Sequence, residues 1–390
     1  MATMPQTTAP TTSPSTQRPL APAVADWIEQ IQLARRERRQ LCIQGGGTKA
    51  FLGTAAAGAD RLDTRTHRGI VAYEPTELVL TARAGTPLTE IEAALAEHGQ
   101  HLAFEPPRFG PATIGGVVAA GLSGPARASV GAVRDFVLGV HLVNGRGEYL
   151  EFGGQVMKNV AGYDVSRLLA GSLGTLGVMA QVSLKVLPVP PADATLRFDM
   201  PQAEALRHLA RWRGQPLPLQ ASLWQASPSD APHAPGLYLR LRGARAAVES
   251  ACERLLREAG GQRLETWDGW ERCREQSLDF FAHPASAQWA LWRLSVAPTH
   301  PPLDLPGPTL IEWHGGLRWV WAPVAESTAL QSLAERAGGH ATLFRPPATG
   351  AAALPRHAPL PRPLHTLHQR LKTAFDPDHV FTPLPWTAQA

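Results

Sequence analysis

Residues 106–131 set the first constraint on the fold. Pro106, Pro107, Gly110, Pro111, Gly115, Gly116, Gly121, Gly124, Pro125 and Gly131 all fall within this stretch, and no long helix or strand is expected at that density of breakers. An irregular segment of this length inside a folded chain is uncommon unless it binds something. Two more glycine-rich segments accompany it, Gly45-Gly46-Gly47-Thr48-Lys49 and Gly171-Ser172-Leu173-Gly174-Thr175-Leu176-Gly177. Glycines let backbone N–H groups converge on an anion with no Cβ in the way. Three such loops suit a long bent cofactor, one holding a pyrophosphate and the others lying flat against rings. Lys49 adds charge in a chain whose other lysines are Lys158, Lys185 and Lys372. Taken alone, the first loop also reads as an ordinary glycine turn.

Two rival phosphate motifs fail. A P-loop needs Gly-Lys-Ser/Thr, which is absent. Gly45-x-Gly47-x-x-Ala50 with Asp63 fits the dinucleotide fingerprint loosely, but residues 51–58 carry no apolar helical stripe to follow it.

At 390 residues the chain exceeds the usual single-domain limit of ~250–300. With 36 Pro and 35 Gly it reads as loop-rich α+β or α/β, not a helix bundle. The net charge is only +4, and the arginines within 35–39 read as a solvated helix face, not a nucleic-acid patch. Cys42, Cys252 and Cys273 are too few and scattered for a disulfide framework, zinc or an iron–sulfur cluster. His365 and His368 lack a supporting acid or thiol, so no metal site is expected. No apolar run approaches ~18 residues. Residues 1–22 read as a floppy tail without a signal-peptide core. A cytoplasmic location follows as an expectation, with a membrane reached only through partners.

A helix is expected over 24–39, capped by Asp26, then a strand at 41–43. Strands follow at 70–73 and 77–83, and a helix starting at Thr86-Pro87 with Thr86 as cap, a Leu88, Ile91, Leu95 stripe and Gly99 at its end. Residues 136–143 and 148–152 form a hairpin about Asn144-Gly145, 164–170 a short helix, and 178–186 a half-buried alternating strand. Beyond Pro191 lie strands near 195–199, 219–224, 237–242, 288–296, 310–314 and 317–321, and a helix near 244–259. Ten of the eleven tryptophans lie in this half, which reads as core packing or, alternatively, as a docking face for a partner. Gly315-Gly316 is expected to turn a hairpin that places Trp313 and Trp319 close together. Residues 347–363 read as a linker, and 364–375 as a last helix.

The motifs then become specific. Ile43-Gln44-Gly45-Gly46-Gly47-Thr48-Lys49, Ala112-Thr113-Ile114-Gly115-Gly116 through Ser123-Gly124-Pro125, and Lys158-Asn159-Val160-Ala161-Gly162-Tyr163-Asp164 continuing to Gly171–Val178 resemble the FAD-binding (PCMH) type of the vanillyl-alcohol-oxidase superfamily. Leu371-Lys372-Thr373-Ala374-Phe375-Asp376-Pro377 resembles its C-terminal signature. That superfamily includes FAD-linked D-lactate and glycolate dehydrogenases. Phe104-Glu105-Pro106-Pro107, 119–125, 131–135 and Ala341-Thr342-Leu343-Phe344-Arg345 are similar to the smaller flavoprotein subunits of glycolate oxidases.

The resemblance implies an α+β fold: a two-lobed FAD-binding domain over 23–190 (lobes 23–84 and 85–190), an antiparallel-sheet α+β cap over 191–355, and a C-terminal helix and tail over 356–390. It implies FAD contacts from Gly45, Gly46, Gly47, Thr48, Lys49, Pro106, Thr113, Ile114, Gly115, Gly116, Ser123, Gly124, Gly174, Thr175, Gly177 and Val178. Members with covalent flavin carry a His in the first loop; Thr48 and Lys49 stand here, so noncovalent FAD is implied. Leu173 stands where many relatives have Glu. The His-x-Gly-x-Gly-Asn-x-His-like motif of catalytic chains in this group is absent, and His314-Gly315-Gly316-Leu317-Arg318-Trp319 is the nearest string.

The implied function is the FAD-binding subunit of a complex oxidising glycolate to glyoxylate, with a larger FAD subunit and an iron–sulfur subunit as partners. A stand-alone FAD-linked 2-hydroxy-acid dehydrogenase and a non-catalytic scaffold are the alternatives. Oxidising a 2-hydroxy acid needs a base for the hydroxyl proton and a cation for the carboxylate. His314 is the candidate base, and Arg318 or Arg345 the candidate clamp.

Overall fold

A computed structural model describes residues 19–53, 58–154, 164–226, 235–282, 284, 286–348 and 356–386. Helix α1 (Pro22–Glu37) opens with Pro in its first turn, where a missing N–H costs nothing. Asp26 therefore lies inside the helix and does not cap it. The stripe Val24, Trp27, Ile31 and Ala34 is buried, and packs with the parallel pair β1 (Leu41–Gln44) and β2 (Asp60–Asp63) and with Phe381.

Next come β3 (Ile70–Glu74), β4 (Val79–Arg83), α2 (Leu88–Ala96), β5 (Gln100–His101), α3 (Ile114–Ala120), α4 (Arg127–Val130), β6 (Val137–Val143), β7 (Tyr149–Gly153), β8 (Val178–Lys185) and β9 (Leu187–Pro188). An antiparallel sheet runs in the order β3-β4-β8-β6-β7. Leu88, Ile91 and Leu95 of α2 join its core. Thr86 does not cap α2, which has Pro87 at its N-cap. Its hydroxyl instead donates to the Arg83 carbonyl at 2.6 Å and accepts from the Gly69 N–H at 2.9 Å. The strand expected to be half-buried is β8, at the centre of the sheet. Met179 and Ser183 are buried as well as Val178, Ala180, Val182 and Leu184, because both faces are covered. Lys158–Tyr163 falls outside the described residues.

The β6–β7 turn is longer than two residues. Asn144 Oδ1 accepts from the N–H groups of Arg146 and Glu148, and the positive φ falls at Gly147. Gly145 answers a different demand: a Cβ there would stand 2.3 Å from Asp376 Oδ1.

The second half adds β10 (Ala192–Asp199), α5 (Gln202–Arg213), β11 (Leu219–Gln225), β12 (Gly236–Gly243), α6 (Arg245–Ala259), β13 (Gln262–Leu264), α7 (Gly269–Arg274), α8 (Asp279–Ala282), β14 (Trp289–Ser295), β15 (Thr309–Glu312), β16 (Leu317–Pro323), α9 (Ser327–Arg336) and β17 (His340–Arg345). Its antiparallel sheet has the order β13-β10-β12-β11-β15-β16-β14-β17. Residues of α5, α6 and α9 pack with one side of the strands. Alternate residues of the strands, among them Leu223, Leu291, Trp319 and Phe344, instead meet Phe51, Phe109 and Leu122 from the first half. Trp212, Trp224, Trp270, Trp292, Trp313, Trp319 and Trp321 are buried, in line with core packing.

Glu105 Oε1 takes a 2.5 Å bond from the buried Arg240, and Glu275 accepts from the backbone N–H groups of Arg108 and Phe109. These bonds tie the 105–109 loop to the sheet. Finally α10 (Arg362–Phe375) returns the chain to the first half. There the buried Lys372 ammonium donates to Asp376 Oδ2 (2.6 Å) and to the carbonyls of Thr175, Phe381 and Thr382.

Candidate functional site

Strand β1 delivers the chain directly into Gly45-Gly46-Gly47. A Cβ on Gly46 would stand 1.9 Å from the Pro111 carbonyl oxygen, and one on Gly45 would stand 2.2 Å from Thr113 Oγ1. The first glycine loop is therefore pressed against the second, and only glycine permits that approach. Gly115 meets Ala84 in the same way, at 2.7 Å. The 106–131 stretch is not wholly irregular. Thr113 caps α3 by accepting from Gly116 N–H, and Gly121 closes it in the left-handed conformation. Helix α4 follows.

Lys49 Nζ donates to the Arg108 carbonyl (3.1 Å) and Thr48 Oγ1 (3.2 Å) and lies 5.4 Å from the Phe109 ring centre. Burial lowers its pKa to about 8, against an upward pull from Glu275.

These loops, with segment 173–177 and Thr382 of the C-terminal tail, line an open cleft. Gly45, Gly46, Gly47, Thr48, Lys49, Thr113, Gly115, Gly116, Gly174 and Gly177 all line it. Ile114 and Val178 are instead buried in the cores beneath. Thr175 gives its carbonyl to Lys372. Pro106 is buried, and Ser123 and Gly124 line a separate, smaller cavity. Sequence reasoning missed Cys42, Ala84, Met179 and Thr382 in the cleft wall. Period-two alternation in β8 was a usable signal for Met179; Thr382 had none, because only tertiary folding brings the tail there.

The smaller cavity lies between Ser123-Gly124 and the facing strands. Two charged groups of the sheet line it. Glu312 Oε1 accepts from Trp319 Nε1 at 2.7 Å. Burial pushes its pKa up to about 7, outweighing the hydrogen bonds from Trp319 and Cys273. Arg293 has no hydrogen bond or ion pair among the described residues, and its Nε is buried and unpartnered. Its guanidinium lies 5.0 Å from the Trp313 ring centre and 5.9 Å from that of Trp319. Burial, helped by the charge of Arg127, lowers its pKa to about 10. Trp313 and Trp319 are thus brought together around Arg293; across the hairpin, Trp319 itself pairs with Leu310. A buried donor left unmade is costly, so this guanidinium is suited to a ligand that brings an anion.

The three expected catalytic residues separate. Arg318 is fully buried, and its donors go to the carbonyls of Gly315, Pro301 (2.7 Å) and His300 (2.6 Å). Side chains alternate along β16, so Trp319 faces the cavity and Arg318 the opposite side. His314 is buried, with Nε2 3.0 Å from Ser129 Oγ and Nδ1 3.0 Å from Ser222 Oγ. Burial lowers its pKa to about 4, and it lines neither the cleft nor the smaller cavity. Arg345 donates to Gln276 Oε1 (2.6 Å), forms no ion pair among the described residues, and sits near the rings of Phe51, Phe109 and Phe344.

Residues 21–153 match a family model described as an FAD binding domain. The chain is 46% identical over 357 residues to the glycolate oxidase subunit GlcE of Escherichia coli (strain K12), covering 91% of this chain and 95% of that one. The chain belongs to the GlcE family. This GlcE-family chain is also 30% identical over 179 residues to the glycolate oxidase subunit GlcD of Bacillus subtilis (strain 168), which is 45% of its own length and 38% of GlcD. Its fold is shared with alkyldihydroxyacetonephosphate synthase (TM-score 0.62, 16% identity, 90% of this chain and 74% of that one).

FAD is the cofactor of this GlcE-family chain. The cleft fits it: glycine loops whose close packing on one another no Cβ would permit, one lysine, and a mostly apolar wall of Ala84, Ala112, Ala119, Leu173 and Met179. No helix among the described residues is long and apolar enough to cross a membrane.

Proposed function

We propose that this chain is the FAD-binding subunit of a glycolate oxidase complex that converts glycolate to glyoxylate and delivers electrons, with a larger FAD subunit, to an iron–sulfur subunit. The observation that carries the reading is the unpartnered Arg293 beside Glu312, in a small cavity that shares the second glycine loop with the cofactor side of the molecule.

FAD is held noncovalently in this reading. Backbone N–H groups of 45–47 and the Lys49 ammonium take the pyrophosphate, and the flat glycine surfaces at 115–116 and 174–177 take rings. Bound FAD supplies the acceptor for the hydride leaving the substrate α-carbon. The substrate carboxylate takes the free donors of Arg293. Glu312, with its pKa near 7, accepts the hydroxyl proton. Trp313 and Trp319 keep water away and hold the guanidinium by its face. The base role expected of His314 thus passes to Glu312, and the clamp role expected of Arg318 to Arg293. The assembly works in the cytoplasm and meets the membrane only through its partners.

The test is the visible spectrum of the purified chain with glycolate added under anaerobic conditions. Bleaching of the flavin band, lost in Arg293→Met, supports substrate oxidation at this cavity. Bleaching only after the partner chains are added supports a relay subunit. Failure to take up FAD at all refutes the reading.

A further inference from the structure

Trp313 lines not only the Glu312–Arg293 cavity but also a solvent-open recess of about 920 Å³. The recess is bordered by Arg127, Arg213, His314 and His340, and no Asp or Glu is among its lining residues. Arg213 is exposed at the end of α5, and Arg127 is half-buried further in. Arg127 lies 4.4 Å from the Trp313 ring centre on the recess side, and Arg293 lies 5.0 Å from it on the cavity side. One indole therefore stands between an open basic recess and a half-buried arginine whose side chain makes no hydrogen bond or ion pair among the described residues.

Trp313 belongs to the buried cluster that includes Leu122, Leu317, Trp319 and Phe344, and its ring is oriented by the 3.0 Å bond from Nε1 to the Gly124 carbonyl and by the two guanidinium faces. Trp313 and His314 both hold a positive φ, 54° and 56°, an unfavourable conformation for non-glycine residues that is found where local structure has a task. The surrounding charge is one-signed. His314 is neutral, its ring facing Ser129 and Ser222, and burial and the Arg293 charge keep His340 toward its neutral form. Asp135 acts on Arg127 from outside the lining, opposed by Arg134.

We propose that this recess is the port through which a small carboxylate enters and leaves the Glu312–Arg293 cavity, with Trp313 as its gate. The proposal rests on that cavity being the 2-hydroxy-acid site. Arg213 is exposed, Arg127 and Arg293 are half-buried against Trp313, and a one-signed recess with low-dielectric walls raises the local concentration of an anion.

The experiment follows association of oxalate, a dicarboxylate with no α-hydrogen to lose, with the FAD-loaded full-length chain by stopped-flow tryptophan fluorescence. Arg213→Glu changes an exposed side chain and leaves the cavity intact. It is expected to slow association about five-fold or more at low salt, and the effect is expected to fade at ~1 M salt, where the screening length is about 3 Å. Trp313→Phe loses the bond to Gly124 while keeping a wall, and is expected to speed association and dissociation together. Wild-type kinetics and salt dependence in Arg213→Glu, with binding abolished by Arg293→Met, would retain the site and refute the port. Oxalate binding in the recess that survives Arg293→Met makes it an independent anion site and also overturns the port. No oxalate binding to the wild-type chain refutes the cavity reading, and the port falls with it.

Discussion

Glu312→Gln gives a sharp physical test of the cap cavity. The Glu312 carboxyl is buried against Trp319, and its pKa rises from 4.5 to about 7. That rise corresponds to about 3 kcal/mol. The folded chain keeps a proton that the unfolded chain has released between pH ~4.5 and ~7, so stability falls as pH rises through that window. The penalty is complete above the folded pKa, and most of it develops between pH 5 and pH 8. Glutamine carries no charge and still offers an oxygen to Trp319 Nε1. At ~2.1 cal/mol/K per residue, unfolding a chain of this size has an entropy of ~0.8 kcal/mol/K, so a change of about 2 to 3 kcal/mol is about 3 °C. Scanning calorimetry at pH 5 and pH 8 should show the Glu312→Gln protein gaining about 3 °C on the wild type between the two conditions. A wild-type-to-variant gap that stays constant with pH would refute the burial of a titrating carboxyl there.

Gly46→Ala should abolish FAD uptake, because the added methyl meets the Pro111 carbonyl and forces the two glycine loops apart; flavin absorbance after gel filtration reads this. Lys49 is cationic below its pKa of about 8, so FAD affinity should fall as pH rises through 8 in wild type and stay flat in Lys49→Met. Fluorescence titrations at pH 6.5 and 9.5 decide it, and equal wild-type affinities would remove Lys49 from the phosphates. Lys372→Met leaves the Asp376 carboxylate buried without its cation and should cost about 3–5 kcal/mol. The loss should appear as a lower melting temperature together with weakened FAD retention, since Thr382, which Lys372 holds, lines the cleft.

The cofactor side was legible to the degree that its demands are local. Gly45, Gly46 and Gly115 are glycines because their backbone must approach the Thr113 hydroxyl, the Pro111 carbonyl and the Ala84 Cβ, and that requirement leaves a mark in any sequence. The same logic misassigned Gly145, whose partner Asp376 is remote in sequence and whose role is close approach, not turn geometry. Asp26 and Thr86 carry cap-forming side chains, yet proline at the start of α1 and the Gly69–Arg83 contact of Thr86 took precedence. His314 and Arg318 attracted attention as polar residues near a glycine pair. Their hydrogen bonds to serines and carbonyls were invisible without the neighbouring strands.

Periodicity, breakers and glycine loops by themselves narrowed this chain to a loop-rich α+β or α/β protein, pointed to a long cofactor over its first half, and placed a run of strands in its second; the antiparallel cap came from the family resemblance. Those signals survive in one dimension because they report on a residue's own backbone and immediate neighbours. Tertiary structure alone decided which charges are satisfied. Arg318 and Arg293 are both arginines in apolar strands, but one faces three carbonyls and the other two indoles and an open cavity. Whether a buried charge has a partner depends on what the rest of the chain folds against it.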